Sequence, residues 1–328
     1  MTRPITGLAG PDFLIVGAPK AGTTALHAAL TRHPDVFMSD PKEPKYWMCD
    51  DAPPPHWRGP GDRHSQREWV WRREDYERLF AGAPAGAARG ESTPFYLWHR
   101  AAQRRIAERL PEAKLVAVVR DPIDRAYSNW MHLWSDGLEP VADFEEAFAL
   151  EHDRIVRGWA PFWRYAELGR YGEQLAHLFS YLDPDRVLVL RYRDIVDDPT
   201  GTVDRTCEFL GIAPGLVDDV PHDNARSFVP PGPRAIVLGR VVRAGAWAGQ
   251  FAPPQVWRRA SVPLVARLSG PGDQNRPLLS RETRARLLPA FGDDIRLLSR
   301  ITGQSFDDWL STESRGSFKE RSRVSGPS

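Results

Sequence analysis

The sequence predicts an α/β fold of three layers, in which helices cover both faces of a central parallel sheet. Three observations lead to this prediction. Several short apolar segments have the character of buried strands, the segments between them are suited to helices, and the two kinds alternate along the 328 residues. Such alternation is typical of a parallel sheet whose strands are buried on both faces.

The first strand–helix unit is the most informative part of the chain. Residues 13–16, FLIV, form an apolar run that predicts a buried strand. Residues 17–22 are a turn of small residues, and Thr23 opens a segment rich in Ala and Leu that predicts a helix. This order directs backbone N–H groups and a helix N-terminus toward one point, which is the geometry of a phosphate site.

The spacing within this loop differs from that of nucleotide triphosphatases. Their loop reads G-x-x-x-x-G-K-[ST], with Lys directly after the second Gly. Gly17 and Gly22 keep the spacing, but Thr23 stands in the place of that Lys, and Lys20 lies inside the loop. We therefore expect a loop that binds phosphate through its backbone amides and carries its lysine inside the loop instead of directly after the second Gly. The plain alternative is an ordinary strand–helix turn that binds nothing.

The remaining strands are predicted from apolar runs. Residues 36–38 predict a second short strand, and residues 88–94 predict the end of another short strand and a turn. Residues 114–119, KLVAVV, and residues 186–190, RVLVL, predict two further buried strands. Together with the first unit, these segments supply the strands of one parallel sheet.

Helices are predicted where stop and start signals bracket the segments between strands. Pro122 suits the first turn of a helix, and Asp198 with Pro199 begins another that ends before Gly211. Further helices are predicted over residues 68–80, 99–110, 142–157, 170–181 and 280–301.

The predicted organisation is a single domain of residues 12–311. A flexible leader of residues 1–11 precedes it, and a disordered tail of residues 312–328 rich in Ser, Gly and charge follows it. Residues 50–68 and 225–272 are rich in Pro or break the pattern, and we expect them to be variable excursions. The plain alternatives are a surface loop and a packed helix with solvated arginines, respectively.

Composition excludes several classes of protein. The net charge of +1 gives no general attraction to nucleic acid. Cys49 and Cys207 are too few for a disulfide framework or a zinc site, which favours a reducing compartment. Neither a signal peptide nor a long apolar span is evident, so we expect a cytoplasmic protein without a transmembrane segment. The use of Arg and Ala hints at a bacterial source.

Two motifs together resemble the sulfotransferases that use 3′-phosphoadenosine 5′-phosphosulfate (PAPS). Residues 19–24, PKAGTT, resemble their phosphosulfate loop, and residues 115–130, LVAVVRDPIDRAYSNW, resemble their 3′-phosphate motif. Residues 169–211 and 276–309 are similar to the third strand–helix unit and to the closing helix of glycan-type and bacterial members. The resemblance implies the P-loop-like fold of that family.

The resemblance implies roles for individual residues. Lys20 would contact the bridging oxygen of the phosphosulfate, and Arg120 and Ser128 would bind the 3′-phosphate, for which an arginine fork is well suited. Tyr171 and Arg276 would complete the cofactor-binding set. The loop N–H groups and hydroxyls that would hold the 5′-phosphate belong to Ala21, Gly22, Thr23 and Thr24.

The resemblance also suggests a catalytic base. Glu43, in KEPKYW, matches the position of a Glu in the glycan sulfotransferases, and a carboxylate there could take the proton of an acceptor hydroxyl. His99 is a distant counterpart of the His used by cytosolic small-molecule members, and we rank it below Glu43. Ser92 stands where several glycan-specific members carry Lys, which weakens a glycosaminoglycan assignment. The plain alternatives are a solvated loop carboxylate for Glu43 and, for Arg120, a surface ion pair with Asp121 or Asp124.

The implied reaction is transfer of a sulfuryl group from PAPS to an acceptor hydroxyl, without a metal and with release of adenosine 3′,5′-bisphosphate (PAP). The acceptor could be a natural product, a glycolipid or a glycan, and the two excursions would lie on its side of the site. A P-loop nucleotide kinase or triphosphatase is one alternative, and a non-catalytic nucleotide-binding module is another. No nucleic-acid partner is expected, and the sequence leaves the oligomeric state open.

Overall fold

The centre of the protein is a parallel sheet of five strands, as seen in a computed structural model that describes residues 10–221 and 277–312 and a few positions between 230 and 244. The strands are β1 (Phe13–Gly17), β2 (Val36–Met38), β3 (Ala88–Ser92), β4 (Lys114–Val119) and β5 (Val187–Arg191). Their order across the sheet is β2-β3-β1-β4-β5, and every neighbouring pair is parallel. The predicted α/β class and its parallel sheet are confirmed.

Helices connect the strands and cover the sheet. They are α1 (Thr23–Thr31), α2 (Tyr46–Cys49), α3 (Asp62–Ser65), α4 (Arg73–Arg78), α5 (Arg100–Arg109), α6 (Pro122–Ser135), α7 (Phe144–Ala149), α8 (Glu151–Val156), α9 (Tyr171–Phe179), α10 (Tyr192–Asp197), α11 (Pro199–Leu210), α12 (Arg281–Leu287) and α13 (Gly292–Thr302). Helix α1 packs on α11, and α5 packs on α9. The core lies along β1 and β4, whose side chains from residues 13–16 and 115–119 are buried almost completely.

The start and stop signals of the sequence act as predicted. Asp121 caps α6 by accepting hydrogen bonds from two amides of the first turn, and Pro122 is the first residue of the helix. Asp198 caps α11 by accepting a hydrogen bond from the Gly201 amide, and Pro199 follows it. Gly211 ends α11 with a φ of 83°, a left-handed conformation in which glycine is favoured.

Three predicted helices are shorter or divided. The helix expected over residues 68–80 forms only as α4, because Val70 N–H donates to the Pro44 carbonyl at 2.9 Å and the preceding segment is extended. The helix expected over residues 142–157 divides at Leu150 into α7 and α8. The last helix is interrupted by a 3₁₀ turn at Leu288–Ala290, where Pro289 offers no N–H to the helix.

The excursion of residues 50–68 is anchored to the domain at one carboxylate. Asp62, in α3, is buried and accepts hydrogen bonds from the Gly59 amide, the Ala160 amide and the Trp163 indole, at 2.8, 2.8 and 3.0 Å. The segment is therefore packed at this point rather than free over its whole length.

The predicted boundaries of the domain remain predictions. Gly10 and Pro11 are buried, while the rest of the predicted leader, nearly all of the predicted tail and most of residues 225–272 lie outside the described residues.

Cys49 and Cys207 are free and buried. In the part of the chain that the structure describes, no helix has the length and apolar character needed to cross a membrane.

Candidate active site

The loop between β1 and α1 lies at the carboxyl edge of the sheet, beside the end of β4. Ala18 N–H donates to the Val118 carbonyl at 2.7 Å, which joins the loop to its neighbouring strand. Lys20 and Gly22 both have left-handed backbone conformations, with φ of 67° and 91°. Ligands bind at this edge in open α/β sheets. The strand, loop and helix predicted from the sequence are therefore confirmed.

The loop amides do not all have the same role. Amides in the first turn of a helix have no partner one turn earlier, so those of Thr23 and Thr24 are available to an anion. The amide of Ala21, in contrast, already donates to the Ala18 carbonyl at 3.2 Å. Thr24 is exposed, whereas Thr23 is only 4% exposed. Of the residues expected at the 5′-phosphate, Ala21 is thus the one whose amide has a partner within the loop.

Arg120 follows the last residue of β4 and reaches back over the loop. Its Nη1 donates to the carbonyl of Lys20 at 3.2 Å. The two aspartates expected to pair with it in the plain alternative, Asp121 and Asp124, instead bond to Arg284. The structure therefore places the guanidinium of Arg120 against the backbone of the loop that carries Lys20.

Tyr192 is a site residue that the sequence reasoning missed. Its ring lies under the guanidinium of Arg120, with 4.6 Å from Cζ to the ring centroid. A Cβ at Gly22 would come within 2.8 Å of the same ring. Tyr192 thus fills the space between the loop and Arg120. One signal could have found it, because Tyr192 directly follows β5, which ends at the same edge of the sheet.

Ser128 and Tyr171 are both buried near this edge. Ser128 is 3% exposed and lies on α6, the helix that follows Arg120. Tyr171 is 1% exposed and opens α9; burial raises its pKa well above the ordinary value, and Arg125 and the backbone of Arg120 lie close enough to oppose that rise. Arg276 lies outside the described residues.

Glu43 lies on the loop between β2 and α2 and is not an isolated carboxylate. Its Oε1 is 3.1 Å from the Lys42 ammonium, and its Oε2 is 3.5 Å from that of Lys45, while the side chain is one-third exposed. Burial alone would raise the pKa of Glu43, but the two ammonium groups outweigh burial and lower that pKa below its ordinary value. Glu43 is therefore ionised at neutral pH, which is the state that a proton acceptor needs.

His27 is a second residue that the sequence reasoning missed. It lies on α1, four residues after Thr23, and its Nδ1 is buried without a hydrogen-bond partner among the described residues. Burial lowers the pKa of His27 to about 4, and Lys42 and Glu43 are close enough to influence it. The imidazole is therefore neutral at neutral pH and extends from α1 toward the segment of Lys42 and Glu43.

His99 has a structural role. Its Nδ1 accepts a hydrogen bond from the Ala102 amide at 3.1 Å and so caps α5. Burial lowers its pKa to about 4. This arrangement supports the ranking of Glu43 above His99 as the candidate base.

Comparisons with known proteins agree with the geometry. A model described as the sulfotransferase family matches residues 11–215. Human heparan sulfate glucosamine 3-O-sulfotransferase 6 is 31% identical over 223 residues, which cover 67% of this chain and 58% of that protein. Human bifunctional heparan sulfate N-deacetylase/N-sulfotransferase 2 is 28% identical over 212 residues, covering 63% of this chain and 22% of that protein. The chain thus spans less than two thirds of the length of these curated relatives.

A solved structure extends the likeness to almost the whole chain. A sulfotransferase from Alicyclobacillus acidocaldarius aligns with a TM-score of 0.71 and 26% identity, covering 93% of this chain and 100% of that one. The similarity therefore includes the closing helices, which lie beyond the residues that the family model matches.

Proposed function

Since the chain belongs to the sulfotransferase family, we propose that it transfers a sulfuryl group from PAPS to an acceptor hydroxyl and releases PAP. The observation that carries this proposal is the hydrogen bond from Arg120 to the carbonyl of Lys20. It brings a guanidinium suited to the 3′-phosphate next to the loop suited to the 5′-phosphosulfate. The family match also weighs against the kinase and triphosphatase alternative.

The donor site can be described by what each element offers to PAPS. The first-turn amides of α1 and the exposed hydroxyl of Thr24 suit the 5′-phosphate. Arg120, whose guanidinium lies over the ring of Tyr192, suits the 3′-phosphate dianion. Gly22 lets the chain turn without a Cβ that would strike Tyr192. These residues fit a nucleotide with two separate phosphate groups.

The transfer itself requires little covalent chemistry from the protein. The S–O bond to the 5′-phosphate breaks, PAP leaves with the electron pair, and the acceptor oxygen forms the new S–O bond. By analogy with phosphoryl transfer, the transition state is loose and is stabilised mainly by charge and position. Lys20 would neutralise the leaving oxygen, and the ionised Glu43 would take the proton of the acceptor.

The acceptor is proposed as a hydroxyl of a glycan, a glycolipid or a natural product. Support for a sugar comes from the relatives, one of which is named as a glucosamine 3-O-sulfotransferase. Against a close match, Ser92 stands where several glycan-specific sulfotransferases carry Lys. We place the reaction in the cytoplasm, which suits two free and buried cysteines.

Calorimetric titration with PAP, in parallel with ATP and magnesium, tests the donor site. We expect tight binding of PAP, and a loss of about a hundredfold in affinity for Arg120→Ala, because a charge-assisted bidentate contact disappears. Arg193→Ala is the matched control, since Arg193 lies next to Tyr192 in sequence but pairs with Asp197 on the surface of α10. Binding of ATP instead of PAP would contradict the proposal.

Removal of the Lys20 ammonium tests the chemistry separately from binding. We expect Lys20→Ala to lower the rate of sulfuryl transfer from radiolabelled PAPS by about a hundredfold or more, because a cation at the leaving oxygen acts mainly in the transition state. The affinity for PAP should change much less. A variant with the normal transfer rate would exclude this role for Lys20. A wild-type protein that binds PAP but transfers to no acceptor would favour the non-catalytic alternative.

A further inference from the structure

Glu91 is a buried carboxylate at the end of β3 that the proposed mechanism does not use. Its side chain is fully buried, and its backbone lies opposite Leu14 of β1 in the sheet. The Thr93 hydroxyl donates to its Oε1 at 2.7 Å, and the Tyr76 hydroxyl donates to its Oε2. Tyr96 supplies a third hydroxyl to the same carboxylate. A carboxylate that accepts three hydrogen bonds can be buried without remaining unsatisfied.

The same three hydroxyls hold the segment that follows Glu43. The Lys45 amide donates to Thr93 Oγ1 at 3.3 Å. The Trp47 amide donates to the Tyr96 hydroxyl at 3.3 Å, and the Trp47 indole donates to the Tyr76 hydroxyl at 2.9 Å. When Glu91 is ionised, the Thr93 and Tyr76 hydroxyls donate to it and keep their lone pairs for this segment, and the Tyr96 hydroxyl lies within hydrogen-bonding reach of both Glu91 and Thr93. One carboxylate therefore orients three acceptors for residues 45–47.

This segment determines where Glu43 lies. Lys45 has a φ of 62°, a left-handed conformation that is unfavourable for a residue with a Cβ and persists only where surrounding contacts impose it. Between Lys45 and Glu43 is only Pro44, whose ring restricts the backbone. The hydrogen bonds that fix Lys45 and Trp47 therefore also restrict the position of the Glu43 carboxylate.

The turn that carries Thr93 and Tyr96 is also attached to the donor side. Thr93 N–H donates to the Ile15 carbonyl at 3.1 Å, and Leu97 N–H donates to the Val16 carbonyl at 2.7 Å. Both carbonyls belong to β1, the strand that leads into the loop of Lys20. The Glu91 cluster thus joins the strand behind the phosphate loop to the segment behind the candidate base.

We propose that Glu91, acting through Thr93, Tyr76 and Tyr96, is a positioning residue that sets the place of Glu43 relative to the loop of Lys20. This inference rests on the proposed function, because the position of Glu43 matters for the rate only if Glu43 takes part in the transfer. It predicts that loosening the cluster lowers the rate of transfer and leaves the binding of PAP nearly unchanged.

Thr93→Val tests the inference with a small change, because it removes the acceptor for the Lys45 amide and keeps the volume of the side chain. Thr206→Val is the matched control, since Thr206 is also fully buried and its hydroxyl donates to the Thr202 carbonyl within α11, at 2.8 Å. Glu91→Gln is the second variant. Its side-chain NH₂ group is a donor, and it would face a hydroxyl that in the wild type donates to the carboxylate, so that hydrogen bond would be lost.

Three measurements apply to each variant: the affinity for PAP, the rate of PAP formation from PAPS with water or an acceptor panel, and hydrogen exchange of amides 45–48. For Thr93→Val we expect affinity within about twofold, a rate about tenfold lower and faster exchange. Glu91→Gln should show the same pattern more strongly. A Thr93→Val variant that matches Thr206→Val in rate and exchange would overturn the inference. Failure of the wild type to bind PAP would instead overturn the proposed function, and the exchange result would still test the cluster.

Discussion

Lys20 and Gly22 show how single residues shape the phosphate loop. Both have positive φ, and such a conformation costs a residue with a Cβ about 1 kcal/mol or more. At Gly22 the restriction is doubled, because a Cβ would also strike the ring of Tyr192. A small residue without a Cβ is therefore needed at Gly22, whereas Lys20 keeps its side chain at the cost of strain.

Gly22→Ala should weaken PAP binding by about tenfold or more, because the new Cβ displaces Tyr192 and with it the support of Arg120. Gly86→Ala is the control, since Gly86 has a similar φ of 84° and open space around its Cβ position. Calorimetry with PAP and thermal unfolding of both variants measure the difference. Equal losses of PAP affinity would mean that strain alone, and not Tyr192, accounts for the effect.

Glu91 should make stability depend on pH in a recognisable window. Burial raises the pKa of Glu91 to about 7, against the lowering effect of its three hydroxyl donors. Between its ordinary pKa and about 7, the folded state binds more protons than the unfolded state, so the free energy of unfolding falls as pH rises, by about 3 kcal/mol in total. Glu91→Gln should lack this component.

Denaturant unfolding of the wild type and Glu91→Gln between about pH 4.5 and 7.5 measures this component. The difference in unfolding free energy between the two proteins should shift in favour of the variant as pH rises. Asp121 and Asp294 also have a raised pKa, about 6 in each case, but they are present in both proteins and cancel. Parallel curves would show that Glu91 does not titrate in this window.

At the scale of elements, one arginine joins α12 to the start of α6. Arg284 is buried, bonds to Asp121 and donates to Asp124 Oδ1 at 3.0 Å. Burial and the nearby Asp124 raise the pKa of Asp121 to about 6, and Arg284 opposes that rise. Because Asp121 caps α6 and follows Arg120, this ion pair connects the closing helices to the residue proposed to bind the 3′-phosphate.

Arg284→Met should lower the free energy of unfolding by about 3 kcal/mol at neutral pH, because it leaves Asp121 buried and unpaired. Arg286→Met is the control: Arg286 lies on the same helix, pairs with Glu145 on the surface and should change stability little. Denaturant unfolding compares the two. Equal stability of both variants would mean that the buried pair contributes no more than the exposed one.

At the scale of the whole molecule, the closing segment completes the core. Phe291, Leu298 and Phe306 are buried, and the Gln304 side chain donates to the Val189 carbonyl of β5 at 3.0 Å. Trp309 packs on Tyr171, with 6.3 Å between ring centroids. The edge of the sheet beside β5 is therefore covered by residues that lie far along the chain from it.

A chain that ends after residue 221 should fail to unfold cooperatively and to bind PAP, because it exposes the apolar surface that α12 and α13 cover. A chain that ends after residue 312 should keep both properties. Thermal unfolding followed by circular dichroism, together with calorimetry, distinguishes the two. Normal PAP binding by the shorter chain would show that the closing segment is dispensable for the donor site.

The positions of the strands along the chain and the phosphate loop could be predicted from sequence because their signals are local. An apolar run such as residues 114–119 specifies a buried strand by itself, and Gly22 specifies a turn by itself. Lys20 and Arg120 could be placed near each other because each follows a strand of one parallel sheet. The divided last helix was missed because a single Pro289 was outweighed by the apolar pattern around it.

The sequence by itself therefore determined the fold class, the loop and the cation at the end of β4. Only the tertiary structure decided which residues support them. Tyr192 lies under Arg120, and Glu91 joins two strands to the segment of Glu43, through contacts between positions that are far apart in the chain. Such contacts depend on how the elements pack, and a sequence pattern of a few residues carries no information on that packing.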